Sequence, residues 1–62
     1  MIRTALVRNS RTKNLKIFHN DNYNTQSEMA QDLRGNGFRV LKIWNRNKTD
    51  SEVDKWELLN RK

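Results

Sequence analysis

The sequence predicts a small α+β domain in which a β-hairpin, a helix and a third strand follow one another (ββαβ), with a C-terminal helix or fourth strand. Three observations support this fold class. Two short runs of β-branched and aromatic residues flank a polar stretch of hairpin-loop length. A helix-capping pattern then leads into an apolar helical stripe. Two closely spaced glycines separate that stripe from the strongest strand pattern in the chain. We expect residues 1–62 to form one domain, because so short a chain supports one small core.

The hairpin is predicted from residues 2–8 and 14–19, which are rich in strand-forming side chains. Residues 9–13 between them are polar and of a length that joins two antiparallel strands. Residues 20–24 contain Asn and Asp side chains that satisfy their own backbone in turns. This run therefore ends the second strand.

The predicted helix begins at Thr25. Thr25 and Glu28 have the spacing of a capping box, in which each side chain accepts a hydrogen bond from a backbone amide at the helix start. Met29 and Leu33 follow on one apolar stripe. The helix is expected to stop at residues 35–37, where glycine adopts the left-handed conformation that ends many helices.

Residues 38–44 predict the third strand, and residues 51–60 fit two interpretations. As a helix, the last segment would begin at Ser51, with acidic residues at its positive end. As a fourth strand, it would place Trp56 and Leu58 on one face. Periodicity alone does not choose between the two, because the apolar run is short.

The composition excludes several classes of function. The chain has no cysteine, so it has no disulfide, no thiolate zinc site and no cysteine nucleophile. His19 is the only histidine, and a catalytic site in the manner of very small ribonucleases would have to pair it with an acidic residue. We expect no enzymatic activity, no metal and no cofactor. No apolar run approaches the length of a signal-peptide core or a membrane span, so we expect an unprocessed, soluble cytoplasmic protein.

The positive charge is concentrated in two blocks. The chain carries 13 Lys plus Arg against 7 Asp plus Glu, a net charge of +6. Residues 1–20 and 38–48 hold most of the excess, and both blocks are predicted to be strands, so folding would join them into one basic surface. An alternative is that these charges only solvate a small domain. The candidate binding residues are Arg3, Arg8, Arg11, Lys13, Lys16, Phe18, Arg39, Lys42 and Arg46.

Strand alternation predicts which sheet face the helix covers. Side chains on one face of the hairpin are apolar and would receive the helical stripe; they are Ile2, Leu6, Leu15 and Ile17. The opposite face would display Arg3, Lys16 and Phe18, a mixture of cations with an aromatic ring. The alternative is that Phe18, with other apolar residues, forms a minor core closed by the C-terminal segment. Trp44 and Trp56 are expected in the core, with an exposed interface as the alternative.

The basic face suggests two kinds of partner. Cations that neutralise phosphates and an aromatic ring that stacks on bases predict binding to single-stranded or duplex nucleic acid. The alternative is a regulator that covers an acidic surface of a host protein and inhibits it by steric occlusion. Either protein would be a monomer, or a homodimer paired through an exposed strand edge.

Residues 14–46 also carry a resemblance. The layout of hairpin, capped helix, glycine turn and the strand Gly37-Phe38-Arg39-Val40-Leu41-Lys42-Ile43 resembles that of the small inhibitors of host RNA polymerase made by podophages. In that family a helix likewise ends in Gly-Phe-x-Val before the last strand. The resemblance implies a phage-encoded protein that takes over a host machine. Those inhibitors rely on an acidic surface strip, whereas the strands here are basic and a further segment follows. No functional residue is carried over from that family.

Overall fold

The computed structural model describes residues 2–61 and has the predicted α+β order, with a helix as its last element. The five elements are β1 (Arg3–Asn9), β2 (Leu15–Asn20), α1 (Gln26–Gly35), β3 (Phe38–Trp44) and α2 (Asp50–Asn60). The bounds of β3 are those predicted, and β1 and β2 each start and end one residue later than predicted. Residues 51–60, for which the sequence allows a helix or a fourth strand, belong to helix α2.

The strands form one antiparallel sheet with β1 at its centre, in the order β2-β1-β3. Four successive residues of β1, from Thr4 to Val7, are buried. Because successive side chains of a strand point to opposite faces, a strand buried in this way must be covered on both sides. The sheet is therefore the middle layer of three.

A β-bulge in β3 changes which of its side chains point to each face of the sheet. Leu6 is opposite Lys42 whereas the next residue, Val7, is opposite Val40, which leaves Leu41 as the extra residue. Val40 and Ile43 can therefore both pack under α1, although their spacing in the sequence is odd.

Helix α1 covers the sheet face that bears Ala5 and Val7, and its own Met29 and Leu33 are buried against them. The predicted seat of this helix, on the face of Ile2, Leu6, Leu15 and Ile17, is wrong. Ile2 and Leu15 are each 40% exposed. Both faces of β1 are apolar, so alternation along one strand did not identify the face that receives α1.

The ends of α1 follow the predicted capping chemistry with one difference. Thr25 is the N-cap, and its hydroxyl accepts a hydrogen bond from the Glu28 amide. The Glu28 carboxylate accepts from the amide of Asn24 instead of that of Thr25. At the other end Gly37 has a φ of +89°, the left-handed conformation that favours glycine and turns the chain into β3.

Helix α2 covers the opposite face of the sheet. Val53 is fully buried, and the rings of Trp44 and Trp56 meet edge to face with centroids 5.5 Å apart. The helix is capped by Thr49, which forms a complete capping box with Glu52, and not by Ser51 as predicted. Leu6 is the buried apolar residue of β1 that points to this face, so the apolar side chains assigned to α1 in part serve α2.

Thr4 joins β1 to the chain that connects β3 with α2. Its side chain is buried, donates a hydrogen bond to the carbonyl oxygen of Arg46 (2.9 Å) and accepts one from the amide of Lys48 (2.8 Å). Both backbone groups belong to a segment with no regular structure of its own. The Thr4 hydroxyl thus fixes where α2 starts on the sheet.

We predict that Thr4→Val destabilises the protein by about 1–3 kcal/mol, because valine keeps the shape but leaves two backbone groups without a partner. Urea denaturation followed by tryptophan fluorescence measures the change, since Trp44 and Trp56 pack between sheet and α2. Thr4→Ser keeps the hydroxyl and is the matched control, expected to lose less. Equal stability of Thr4→Val and the wild type would contradict this role of the hydroxyl.

Candidate nucleic-acid interface

Three connections come together at one end of the molecule. The loop between β1 and β2 touches the turn between α1 and β3, where the Ser10 amide donates to the carbonyl oxygen of Gly37 (3.1 Å). The C-terminal end of α2 reaches the same region, since Arg8, Glu57 and Arg61 line one shallow pocket. We call this region the basic end.

Each connection brings cations to the basic end. Arg8, at the end of β1, is directly opposite Arg39 of β3, and α1 contributes a residue of its last turn, Arg34. The loop adds side chains on an exposed turn in which Lys13 has a φ of +68°. The cations of the basic end are Arg8, Arg11, Lys13, Lys16, Arg34, Arg39 and Arg61.

Most of these cations have no acidic partner. Among residues 2–61, the ion pairs are Lys48 with Glu52 and Arg61 with Glu57, and the His19 ring lies 3.3 Å from the Asp50 carboxylate. Of the seven cations, only Arg61 belongs to one of these pairs. The other six are exposed apart from Arg8, which is half-buried. Unpaired and accessible cations are available to a polyanion.

The loop that carries Arg11 is ordered by its own hydrogen bonds. The side-chain oxygen of Asn9 accepts from the amides of Arg11 (2.8 Å) and Thr12 (3.0 Å). The Lys13 amide donates to the carbonyl oxygen of Asn9 (2.8 Å). These hydrogen bonds order the backbone of the loop, and its two cationic side chains are exposed to solvent.

Glu57 is an acid that contacts the cations of the basic end. It accepts hydrogen bonds from Arg61, which lower the pKa of its carboxyl group, and the charge of Arg8 lowers it further. The same contact raises the pKa of Arg61. Arg8 and Arg39 repel each other across the strand pair, and the Glu57 carboxylate offsets part of that repulsion.

The opposite end of the molecule holds the N-termini of both helices and most of the acids. Glu28, Asp50 and Glu52 lie in the first turns of α1 and α2, where the positive end of the helix dipole stabilises them. The net charge of +6 is therefore unevenly spread, and the excess is concentrated at the basic end.

The structure brings together some of the predicted binding residues and separates others. Arg8, Arg11, Lys13, Lys16 and Arg39 meet at the basic end. The others lie elsewhere.

Arg3 is held at the far end of β1 by three acceptors, the carbonyl oxygens of Tyr23 and Asn24 and the side chain of Asn45. Lys42 is opposite Leu6, midway along the edge strand β3, and Arg46 follows the end of β3. The predicted flat basic face is thus replaced by a basic end.

Two cations of this end were not among the predicted residues. Arg34 and Arg61 lie in segments that the sequence assigns to helix ends. The signal was present for Arg34, because the glycine turn that follows it leads directly into the basic strand β3. When a short turn joins a helix to the next strand, the end of the helix and the start of the strand must lie at the same end of the domain.

Phe18 lies beside the basic end, in a groove between β2 and α1 with a volume of 390 Å³. It is half-buried and packs against the core of α1, so it is not the open-face aromatic that alternation predicted. Its ring meets the ring of Phe38 nearly at right angles, with centroids 5.3 Å apart, and the Lys16 ammonium lies 5.1 Å from its centroid. The groove is thus aromatic, with a cation at its mouth.

His19 takes part in structural contacts. Its Nδ1 atom is 3.3 Å from the Thr4 hydroxyl and its Nε2 atom is 3.3 Å from the Asp50 carboxylate. Within residues 2–61, no group of three or more His, Asp or Glu side chains is arranged to hold a metal ion. Over the same span, neither helix is long and apolar enough to cross a membrane.

The fold defines a class, a three-layer α+β domain with a three-stranded antiparallel sheet between two helices. Comparison of the chain with protein-family models, curated proteins and solved structures finds no match.

We predict that the pair of Glu57 and Arg61 stabilises the fold at neutral pH and not in acid. The pKa of Glu57 is lowered below its ordinary value of 4.5, so the pair contributes fully above 4.5 and is lost as pH falls through the lowered pKa. Wild type should exceed Glu57→Gln in free energy of unfolding at neutral pH, and the difference should vanish in acid. Urea denaturation at both pH values tests this.

Asp54→Asn on the same helix is the control, because it removes an exposed carboxylate that belongs to none of the described ion pairs. A difference between wild type and Glu57→Gln that persists well below pH 4.5 would contradict the assignment.

Proposed function

We propose that this protein is a non-enzymatic nucleic-acid-binding module that holds the phosphate backbone at its basic end. The phosphate contacts are assigned to the unpaired cations Arg8, Arg11, Lys13, Lys16, Arg34 and Arg39. Binding of this kind is electrostatic and has little base selectivity of its own, because phosphates are common to every sequence.

One observation carries the proposal, the convergence of unpaired cations from two separate segments, residues 8–16 of the hairpin and residues 34–39 around the turn between α1 and β3. A solvated surface tends to intersperse charges of both signs. Here Glu28, Asp50 and Glu52 occupy the helix N-termini at the opposite end. Arg8 and Arg39 face each other across two strands at a cost in stability. A polyanion removes this cost when it binds, since each phosphate lies near more than one cation.

The arginines favour phosphate as the ligand. A guanidinium group offers a planar set of donors that can bind two phosphate oxygens at once, and four of the six assigned cations are arginines. The ordered loop around Asn9 presents Arg11 and Lys13 from a fixed backbone, so little order is lost by the backbone on binding.

We predict that binding to DNA weakens steeply with salt and that the steepness depends on the basic end. For duplex DNA the slope of log affinity against log salt concentration is about −0.9 per phosphate neutralised. The variant with Arg11→Gln, Lys13→Gln and Arg39→Gln should therefore flatten the slope by about 2–3. Fluorescence anisotropy of a labelled oligonucleotide across a salt series measures both quantities.

The matched single variants are Arg11→Gln and Lys55→Gln, which remove the same charge from the basic end and from the exposed surface of α2. Arg11→Gln should lose affinity and Lys55→Gln should not. If the two variants lose affinity equally, net charge alone governs binding and the assigned site is wrong. Failure of the wild type to bind at low salt would overturn the proposed function as a whole.

A further inference from the structure

The groove between β2 and α1 is continuous with the basic end. Lys16 and Asn36 lie at its near end, and Asn36 also borders the cup formed by the β1–β2 loop. A strand of nucleic acid held by Arg11 and Lys13 therefore passes the mouth of the groove. Tyr23 lines the groove towards the opposite end of the sheet.

The groove combines apolar and aromatic side chains with polar ones. Met29 and Leu33 of α1 contribute buried side chains, and Phe18 presents its ring beside the edge-on ring of Phe38. The volume of 390 Å³ is at the small end of the range for ligand sites, about 300–1,000 Å³, so it suits one small planar group. Aromatic faces bind such groups by stacking.

Charge decides which part of a nucleotide enters. The carboxylate of Asp32 lines the groove and accepts a hydrogen bond from the Tyr23 hydroxyl, and this contact raises the pKa of Tyr23. A carboxylate repels a phosphate, whereas it accepts hydrogen bonds from the amino or imino group of a base. A nucleotide bound here would therefore keep its phosphate outside the groove, beside Lys16, and turn its base inward.

We propose that this groove binds one unpaired nucleobase, stacked on the ring of Phe18, so that the protein prefers single-stranded to duplex nucleic acid. The inference rests on the proposed function, because the flanking phosphates are held at the basic end. In a duplex the bases are paired and stacked within the helix and do not reach a groove of this kind. Lys16, which lies over the Phe18 ring in the free protein, contacts the adjacent phosphate in the complex.

The test compares oligothymidylate with an abasic oligomer of equal length, which keeps the phosphates and lacks the bases. Stacking of one base is worth about tenfold in affinity, so the wild type should bind oligothymidylate about tenfold more tightly. Phe18→Leu should abolish this preference and leave the affinity for the abasic oligomer unchanged. Ile17→Val, on the same strand and the opposite face, is the matched control and should keep the preference.

A second readout needs no variant. The methyl group of Met29, on the groove floor, should show a ring-current shift in the NMR spectrum on addition of oligothymidylate and no shift with the abasic oligomer.

A parallel titration with oligouridylate tests whether RNA supplies the base equally well. Tighter binding of either single strand than of a duplex supports the proposal. Near-ultraviolet circular dichroism of Trp44 and Trp56, on the other face, verifies that Phe18→Leu is folded.

The outcomes separate the two proposals. If wild type binds both oligomers equally, or Phe18→Leu keeps the preference, the groove does not bind a base while phosphate binding at the basic end stands. An unshifted Met29 methyl group would likewise overturn the groove assignment. If neither oligomer binds at low salt, the proposed function fails, and an acidic peptide that shifts the Met29 methyl group would identify the groove as a protein-binding site.

Discussion

The burial of β1 on both faces is the constraint on which the rest of the structure depends. Thr4, Ala5, Leu6 and Val7 are buried in succession, so neither face of the central strand can be left to solvent. One helix must cover each face, and residues 2–61 form two helices that do so. Within this described part of the chain, neither face of β1 is left open as a binding surface. The charged side chains of the strands are consequently found at strand ends, at sheet edges and in loops, where water or a ligand can reach them.

The separation of basic and acidic side chains to opposite ends of the molecule follows from the same arrangement, together with the preference of acids for helix N-termini. Both helices start at one end of the sheet and finish at the other, because α1 leads into the start of β3 and α2 begins near the end of β2, where His19 meets Asp50. Acids are favoured at helix N-termini, so Glu28 and Glu52 lie at one end. Cations near the last turns lie at the other, beside the cationic loop between β1 and β2. Local capping preferences thus give the whole molecule a basic and an acidic end.

Much of the fold could be predicted from the sequence, and the failures have physical causes. The third strand and Thr25 as an N-cap were predicted correctly, because a dense β-forming run and a capping hydroxyl act locally. The face that receives α1 was not, because alternation identifies two faces of β1 without saying which helix covers each. The bulge at Leu41 left no mark in the sequence, since it depends on pairing with β1. The sequence identifies the candidate cations by residue type, but the end of the sheet at which they come together depends on topology. The sequence predicts Phe18 as an aromatic ring beside cations, whereas its position in a groove depends on where α1 packs.

Binding at the basic end would affect the fold differently from binding on the flat basic face that the sequence predicts. On a flat sheet face, cations of adjacent strands would be spread over the sheet and a ligand would add a layer to it. At the basic end, Arg8 and Arg39 repel each other where β1 meets β3, and Glu57 from α2 is the acid that offsets this. A bound phosphate would act on the same charges and would favour the paired strands over the unfolded chain. Any ligand that binds only the folded state stabilises it in proportion to RT ln(1 + [L]/Kd). Because the repulsion lies within the proposed site itself, binding of a polyanion there would at the same time relieve the repulsion between β1 and β3.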